Sequence, residues 1–157
     1  MLKISFKNRK DLVLNNLVLD YNGTIAFKGK TISGVKEKLS KLAKKLNIYI
    51  VTADTFGTVR EEFKNQNVNI EITDDRLTGA KYKEEFIEKI NSEKTVAIGN
   101  GANDRLMLKK AGLSLAIIGG EGASLNTVLE ADIVIKNILK GLDLLLNNDS
   151  LKATLRR

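Results

Sequence analysis

Side chains able to bind metal ions and phosphate follow the apolar, strand-like runs of this sequence. One run ends in Asp20, a second ends in Thr52, and a third leads into a glycine turn that carries Asn100 and Asp104. Carboxylate and amide oxygens are ligands for hard cations such as Mg²⁺. A hydroxyl, a lysine such as Lys83 and the N–H groups of glycine turns bind phosphoryl oxygens. A carboxylate can also attack phosphorus and carry the phosphoryl group. The set therefore indicates phosphoryl chemistry.

Each of these residues also has a simpler explanation when it is considered alone. An Asp that follows a strand commonly forms a turn or caps a helix, and Thr52 could be such a cap. Lys83 could lie on a solvated helix face, and Asn103 and Asp104 could cap the next helix. Residues 119–122, Gly-Gly-Glu-Gly, could approach phosphate, but we favour a plain loop. The functional interpretation depends on the candidates lying together at one edge of the fold.

Alternating strand-like and helix-like segments predict that common edge. Strands are predicted at residues 17–19, 48–52, 68–72, 95–98, 113–117 and 133–135. Helices are predicted at residues 35–46, 58–66, 82–90, 103–111, 123–130 and 137–146. This order is typical of an α/β sandwich with a central parallel sheet, in which ligands bind at the carboxyl ends of the strands. Residues 1–6 and 11–14 are predicted to form an N-terminal β-hairpin around residues 7–10.

The composition excludes several other kinds of site. The chain of 157 residues has no His and no Cys, which excludes histidine and thiolate metal sites, cysteine nucleophiles and Ser-His-Asp triads. The net charge is +7, but the densest basic stretch, residues 35–46, places its lysines opposite an apolar stripe. We interpret that stretch as a solvated helix face, so nucleic-acid binding is not favoured. Neither a signal peptide nor a membrane-spanning run is present, so we expect a cytoplasmic protein.

The candidate residues, in this order, resemble the motifs of the haloacid dehalogenase (HAD) superfamily. The usual pattern is Asp-x-Asp-Gly-Thr, then Thr or Ser at a strand end, then Lys, then Gly-Asp-Gly-x-x-Asn-Asp. The matching residues here are Asp20-Tyr21-Asn22-Gly23-Thr24, Thr52, Lys83 and Gly99-Asn100-Gly101-Ala102-Asn103-Asp104. The resemblance covers residues 17–146. Within the superfamily, the sequence looks most similar to the phosphorylation domain of P-type ATPases. It implies a HAD-like Rossmannoid three-layer sandwich and a hydrolase that acts through an aspartyl-phosphate.

The resemblance also implies a role for the two most important side chains. Asp20 would attack phosphorus, and Lys83 would neutralise negative charge on Asp20 and on the phosphate. Lys83 is preferred to Lys81, because Ile87 and Ile90 then follow the lysine at the apolar spacing of the family.

The remaining matched residues would complete the site around a magnesium ion. The implied catalytic set is Asp20, Asn22, Thr52 and Lys83. The implied phosphate-binding set is Asp20, Gly23, Thr52, Ala53 and Lys83. The implied Mg²⁺ set is Asp20, the backbone carbonyl of Asn22, Asn100 in the direct position and Asp104 in a supporting position.

Two departures from the family pattern bear on the rate of any reaction. Asn22 stands where phosphatases of the family have a second Asp that acts as general acid and base. An amide cannot exchange a proton in that way, so this step could lose the ~10²–10⁴-fold that such catalysis commonly contributes. Asn100 replaces the usual metal-binding carboxylate with a neutral oxygen. We therefore expect slow turnover, and a catalytically weak or inactive phosphate-binding regulatory module is the alternative.

The spacing of the motifs leaves no room for an inserted cap domain. We expect one domain, with residues 1–15 as the hairpin, 16–146 as the core and 147–157 as a C-terminal tail. An open site suits a phosphorylated small molecule or macromolecule, or a homo-oligomer that supplies a lid.

Overall fold

The computed structural model of the protein describes residues 1–6, 10–55, 57–73 and 76–155. Its strands are β1 (Leu2–Ile4), β2 (Leu12–Leu14), β3 (Asn16–Asp20), β4 (Ala26–Phe27), β5 (Lys30–Thr31), β6 (Asn47–Thr52), β7 (Asn69–Ile72), β8 (Thr95–Gly99), β9 (Leu113–Ile117) and β10 (Ile133–Ile135). Its α-helices are α1 (Val35–Leu42), α2 (Val59–Glu62), α3 (Gly79–Lys89), α4 (Arg105–Lys110), α5 (Leu125–Leu129), α6 (Ile138–Leu146) and α7 (Asn148–Thr154).

Six strands form one parallel sheet in the order β10-β9-β8-β3-β6-β7. Every residue of β3, β8 and β9 is buried, as expected for strands that are covered by helices on both faces. β1 and β2 pair as a separate antiparallel hairpin. The predicted α/β fold with its parallel sheet and N-terminal hairpin is therefore confirmed. Residues 7–9 of the predicted hairpin turn lie outside the described residues.

The two faces of the sheet are packed by different helices. Leu17 and Leu19 join the larger apolar cluster, which includes residues of α1 and α6, whereas Val18 joins a second cluster with Ile87 of α3 and Met107 of α4. Side chains alternate between faces along a strand. Asp20, two residues after Val18, is therefore directed to the face covered by α3 and α4.

The order in which the chain adds strands to the sheet reverses at β3. From β3 it proceeds to β6 and β7 on one side, then returns to β8 and continues to β9 and β10 on the other side. The crevice at such a reversal is where ligands bind in open α/β sheets. Asp20 ends β3 and Asn100 follows β8, so both residues border this crevice.

A short hairpin, β4–β5, follows the first motif and was not predicted. Its turn residues Lys28 and Gly29 both have positive φ, 50° and 75°, as tight two-residue hairpin turns require. The Tyr21 hydroxyl donates to the Glu62 carboxylate, and its oxygen lies 3.3 Å from the Gly29 carbonyl oxygen. Glu62 also accepts from the Thr31 backbone N–H at 3.2 Å. These tertiary contacts hold the hairpin against α2, and a local sequence pattern does not show them.

Tertiary contacts make some helices shorter than the sequence predicts and produce one helix that it does not predict. α1 ends at Leu42, four residues before the predicted end, because the chain must turn into β6. α2 contains only residues 59–62 of the predicted 58–66. The segment predicted as a C-terminal tail contains α7, whose Leu151 is fully buried. No helix in the described part of the chain is long and apolar enough to cross a membrane.

Candidate active site

A buried lysine joins two carboxylates at the crevice beside β3. The Lys83 Nζ lies 2.6 Å from Asp20 Oδ1 and 2.6 Å from Asp104 Oδ1. The side chains of Lys83 and Asp104 are 1% and 0% exposed, and that of Asp20 is 9% exposed. We call these three residues the carboxylate–lysine corner. Its formal charges leave one net negative charge, which a bound cation would offset.

The register of α3 directs Lys83 into this corner. The helix begins after Thr78, whose hydroxyl accepts from the Lys81 backbone N–H at 3.3 Å. Lys83 lies one turn before the buried Ile87, so both side chains face the sheet. Lys81 points away and forms a surface ion pair with Glu84 at 2.9 Å. Of the two lysines considered from the sequence, Lys83 is the one that contacts Asp20.

Asp104 holds the turn after β8 with its second oxygen. Its Oδ2 accepts from the backbone N–H groups of Asn100 and Gly101, both at 2.9 Å. A Cβ atom on Gly99 would lie 2.6 Å from this oxygen, so glycine is required there. Because both carboxylate oxygens of Asp104 have protein partners, its geometry fits a supporting position better than direct metal ligation.

The hydroxyl of Thr24 connects the nucleophile candidate to the candidate metal ligand. Its Oγ1 lies 3.2 Å from Asp20 Oδ2 and 3.1 Å from Asn100 Oδ1. The Asn100 amide donates in turn to the Gly122 carbonyl oxygen at 3.1 Å, which fixes its Oδ1 towards Thr24. Gly23 has φ 81°, and a Cβ there would lie 2.5 Å from Asn100 Nδ2. The first motif and the turn after β8 are therefore packed directly together.

The oxygen atoms of this crevice suit a hard cation. A hydroxyl has a single hydrogen, so Thr24 can donate to only one of Asp20 and Asn100 at a time. One acceptor is then left for another partner. Asn22 Oδ1 is also buried with no hydrogen-bond partner among the described residues. Among the described residues, no three acidic side chains lie close enough together to hold a metal ion by themselves. A cation bound here would therefore depend on Asp20 and neutral oxygens, which are ligands that Mg²⁺ accepts.

Burial and charge shift the pKa values of the corner. Burial raises the pKa of the Asp20 carboxyl, the nearby charge of Asp104 raises it further, and the net pKa is about 6 despite Lys83. Burial alone would lower the pKa of the Lys83 ammonium. Asp104 and Asp20 outweigh burial and raise that pKa above its ordinary value. Lys83 is consequently a permanent cation at neutral pH.

Thr52 lies on the neighbouring strand at the same edge. β6 pairs with β3 so that Val51 is opposite Asp20, which places Thr52 one residue further along. The Thr52 hydroxyl accepts from the Asp54 backbone N–H at 3.0 Å, and Ala53 between them is exposed. Asp54 itself caps α2 by accepting from the Thr58 and Val59 N–H groups. The sequence-predicted residues therefore share one sheet edge, with Asp20, Lys83 and Asp104 in direct contact.

Sequence reasoning missed two parts of this site. In the sequence, Thr24 is only the last residue of the first motif, because its bridging position depends on how β3 and β8 meet. The glycine-rich segment interpreted as a plain loop is an ordered turn in which Gly119 pairs with Gly122. A Cβ on Gly119 would lie 3.2 Å from the Gly23 carbonyl oxygen. The density of glycine in this segment was the available signal for a close approach to the site.

Comparison with known proteins finds one relative in sequence and several in fold. The chain is 48% identical over 82 residues to uncharacterized protein MJ0073 of Methanocaldococcus jannaschii, covering 52% of this chain and 88% of that protein. It is similar in structure to 3-deoxy-D-manno-octulosonate 8-phosphate phosphatase from Moraxella catarrhalis in complex with magnesium, phosphate and KDO. The TM-score is 0.65 at 15% sequence identity, and the match covers 91% of this chain and 94% of the phosphatase chain. It is also similar in structure to a phospho-aspartyl intermediate analogue of phosphoserine phosphatase, with a TM-score of 0.58 and 27% sequence identity. This match covers 72% of this chain and 63% of the phosphoserine phosphatase chain.

These structural neighbours are phosphatases, whereas the likeness to P-type ATPases stays a prediction from the sequence. A family model for haloacid dehalogenase-like hydrolases matches residues 7–138, which is most of the chain. The chain belongs to the haloacid dehalogenase-like hydrolase family.

Proposed function

We propose that this protein is a Mg²⁺-dependent phosphohydrolase that works through an aspartyl-phosphate at Asp20. The observation that carries the proposal is the contact of Lys83 Nζ with both Asp20 and Asp104 at 2.6 Å. A buried cation in this position stabilises an ionised carboxylate and the negative charge that develops on a phosphoryl group beside it.

In the first step, an oxygen of Asp20 forms a bond to phosphorus and the bond from phosphorus to the ester oxygen breaks. Lys83 remains positively charged and neutralises part of the added negative charge. Thr52 and the N–H that follows it, at Ala53, would bind phosphoryl oxygens. The Asn22 amide is too weak an acid to give up a proton, so the leaving oxygen takes its proton from solvent.

In the second step, water attacks phosphorus and the bond between phosphorus and the Asp20 oxygen breaks. Inorganic phosphate leaves, the Asp20 carboxylate is restored, and the proton of the water passes to solvent. Without a carboxylate at position 22, no side chain at that position activates this water. We therefore expect the second step to be slow.

Asp20, the Asn22 carbonyl and Asn100 would hold Mg²⁺, with Asp104 fixing the turn that presents Asn100. When bound, the ion supplies positive charge to phosphoryl oxygens. Asn100 contributes a neutral oxygen, so metal binding should be weaker than with a carboxylate in its place. The neighbours from Moraxella catarrhalis, with bound magnesium and phosphate, and phosphoserine phosphatase, with a phospho-aspartyl analogue, support this proposal by analogy.

We also propose that this domain carries no cap inserted between its motifs. Between Thr24 and Thr52 the chain forms only β4, β5, α1 and β6, and between Thr52 and Lys83 only α2, β7 and the start of α3 are described. A substrate would therefore approach from an open edge of the sheet. Phosphorylated small molecules and macromolecules both remain candidates on this ground.

Hydrolysis of an aryl phosphate tests the function directly. We expect phosphate release that requires Mg²⁺ and is abolished in Asp20→Asn, with Asp54→Asn as the matched control. Asp54 is a carboxylate at the same edge that caps α2 instead of contacting Lys83. Full activity of Asp20→Asn would remove Asp20 as the nucleophile.

A regulatory phosphate-binding module is the second candidate, favoured by the two amides at positions 22 and 100. Such a module would bind phosphate or a beryllofluoride adduct at Asp20 but would not turn over. Phosphate released over many equivalents of protein supports the hydrolase. Binding of the adduct without any turnover supports the module.

A further inference from the structure

The edge of the parallel sheet at β10 is apolar. Within the described part of the chain, β10 pairs with β9 on one side and is the last strand of the sheet on the other. Strands at such edges pair readily with another strand, and proteins commonly protect them with charged side chains. β7, the strand at the opposite edge, carries Glu71, whereas all three residues of β10 are apolar. The β10 edge is therefore open to pairing.

The backbone groups of Val134, the middle residue of β10, point away from the sheet. The Ile118 N–H donates to the Ile135 carbonyl oxygen at 2.9 Å, so the polar groups of Ile135 face β9. Successive residues of a strand direct their N–H and C=O groups to opposite edges. The N–H and C=O of Val134 are therefore directed outwards, and no loop among the described residues occupies either of them. They offer one donor and one acceptor to a further strand.

The side chain of Val134 faces a helix layer that also has exposed apolar residues. Ile133 and Ile135 belong to the larger cluster on the α1 and α6 side, so Val134 is directed to the other face, where it is 43% exposed. α5, which connects β9 to β10, lies on that face. Its Leu125 and Leu129, one turn apart, are 70% and 74% exposed. Strand and helix therefore expose apolar side chains on the same face of the molecule.

Charges of opposite sign flank β10 at equal distances from Val134. Asp132 precedes the strand, Lys136 follows it, and both are exposed. Lys136 has no ion-pair partner among the residues that the structure describes, and Asp132 uses only its Oδ2, which accepts from the Ser114 backbone N–H at 2.9 Å. An antiparallel copy of β10, related by a twofold axis through Val134, would set Asp132 opposite the partner's Lys136. The same pair then occurs twice, as a twofold contact requires.

The backbone selects this register. On the axis, Val134 and the partner's Val134 form a hydrogen-bonded pair, which exchanges two N–H···O=C bonds and needs outward-facing groups on both chains. Ile133 then lies opposite the partner's Ile135, and cross-strand pairs of β-branched residues are favourable. A shift by one residue would bring inward-facing groups to the contact. A shift by two would place Val134 opposite a charged residue. A second copy of the chain therefore satisfies this edge in one arrangement.

We propose that the β10 edge joins two copies of this chain as a twofold dimer, in which the two sheets become one continuous sheet. The axis is perpendicular to the sheet, so α5 of both chains lies on the same side of it. Leu125 and Leu129 of the two chains cover the joint there. β3, which carries Asp20, is three strands from β10, so the dimer leaves the crevice open. The inference does not depend on the proposed function.

The mass of the full chain in solution tests the contact. Sedimentation equilibrium should give twice the mass of the 17.3 kDa chain, with dissociation on dilution. Val134→Pro removes the outward N–H and should give a monomer, because an edge strand tolerates proline where the N–H faces solvent. Val134→Thr is the matched control, because it keeps the N–H and the branched shape and should stay dimeric. Circular dichroism checks that both variants are folded.

A change of charge tests the pairing of the strand ends. Lys136→Glu should weaken the dimer by about tenfold or more, because two like-charged pairs replace two pairs of opposite charge. Lys140→Glu is the matched control, since it makes the same change at an exposed position of α6 and should leave the dimer unchanged.

Cysteine cross-linking tests the register without weakening the contact. The chain has no Cys, so any disulfide must involve the introduced residue. Val134→Cys should cross-link under mild oxidation, because a hydrogen-bonded pair places its Cα atoms about 5.5 Å apart, a distance that a disulfide spans. Lys136→Cys should not cross-link, because the two copies of residue 136 lie about 13 Å apart along the strands.

A wild-type chain that stays monomeric as its concentration rises would overturn the inference and leave the edge to a strand of a different protein. A dimer that persists in folded Val134→Pro, or that gives no cross-link in Val134→Cys, would also overturn it, because the two chains would then meet at another surface.

Discussion

The carboxylate–lysine corner differs in its treatment of charged groups from the hairpin cavity, a space of about 440 Å³ between the β4–β5 hairpin, the ends of β9 and β10 and the start of α6. In the corner, Lys83 is buried and contacts two carboxylates at 2.6 Å. In the cavity, Lys136 is exposed and has no ion-pair partner within the described residues. A satisfied, buried charge fixes a reacting group in position, whereas an unpaired, exposed charge is available to a ligand. The difference places the proposed chemistry in the corner.

Removal of the corner lysine should have the largest effect on stability. Lys83→Met leaves Asp20 and Asp104 buried without their cation, so the free energy of unfolding should fall by about 3–5 kcal/mol. The matched change in the cavity, Lys136→Met, should alter it by less than about 0.5 kcal/mol. Urea denaturation followed by circular dichroism measures both values. Similar small losses in the two variants would mean that the corner does not depend on its ion pairs.

Restoration of a carboxylate beside the corner should increase turnover without touching the cavity. Asn22→Asp supplies a group that can give a proton to the leaving oxygen and take one from water, so kcat should rise by about 10²-fold. Asn103→Asp is the matched control, because it adds the same charge on the exposed part of the turn after β8. Steady-state hydrolysis of an aryl phosphate measures both rates. An unchanged or lower kcat in Asn22→Asp, or an equal rise in the control, would contradict this explanation of Asn22.

An added methyl group should also distinguish the two regions. Gly99→Ala places a Cβ against the Asp104 carboxyl group, which is held by Lys83 and two backbone N–H groups. Because that group cannot move freely, we expect a loss of about 1–3 kcal/mol in unfolding free energy. Gly120→Ala meets only the exposed ring of Phe27 and should cost less than about 1 kcal/mol. Thermal denaturation checks this prediction, because Gly99→Ala should have the lower melting temperature of the two variants. A larger loss of stability in Gly120→Ala would contradict it.

The two regions also differ in how far the sequence predicts them. The parallel sheet follows from alternating apolar strands and amphipathic helices, and Asp20 and Thr52 are found where their strands were predicted to end. Lys83 is preferred to Lys81 because Ile87 and Ile90 follow it at the apolar spacing of the family that the motifs resemble. The corner was therefore largely predictable, since its residues lie at strand ends or on a periodic helix.

The hairpin cavity depends on contacts between distant parts of the chain. β4 and β5 have two residues each, too few for a periodic pattern, and they are held by Tyr21 and Glu62. Lys136 gives no local signal that it borders the same space as Phe27. α7 was missed for a related reason, because the burial of Leu151 depends on tertiary packing.

The most direct test of the central claim is the mass of the protein after incubation with acetyl phosphate and Mg²⁺. We predict that the wild-type chain gains one phosphoryl group, that hydroxylamine removes it as expected for an acyl phosphate, and that Asp20→Asn gains none. A phosphoryl group on the Asp20→Asn chain, or its absence from a folded wild-type chain, would contradict the assignment of Asp20 as the nucleophile.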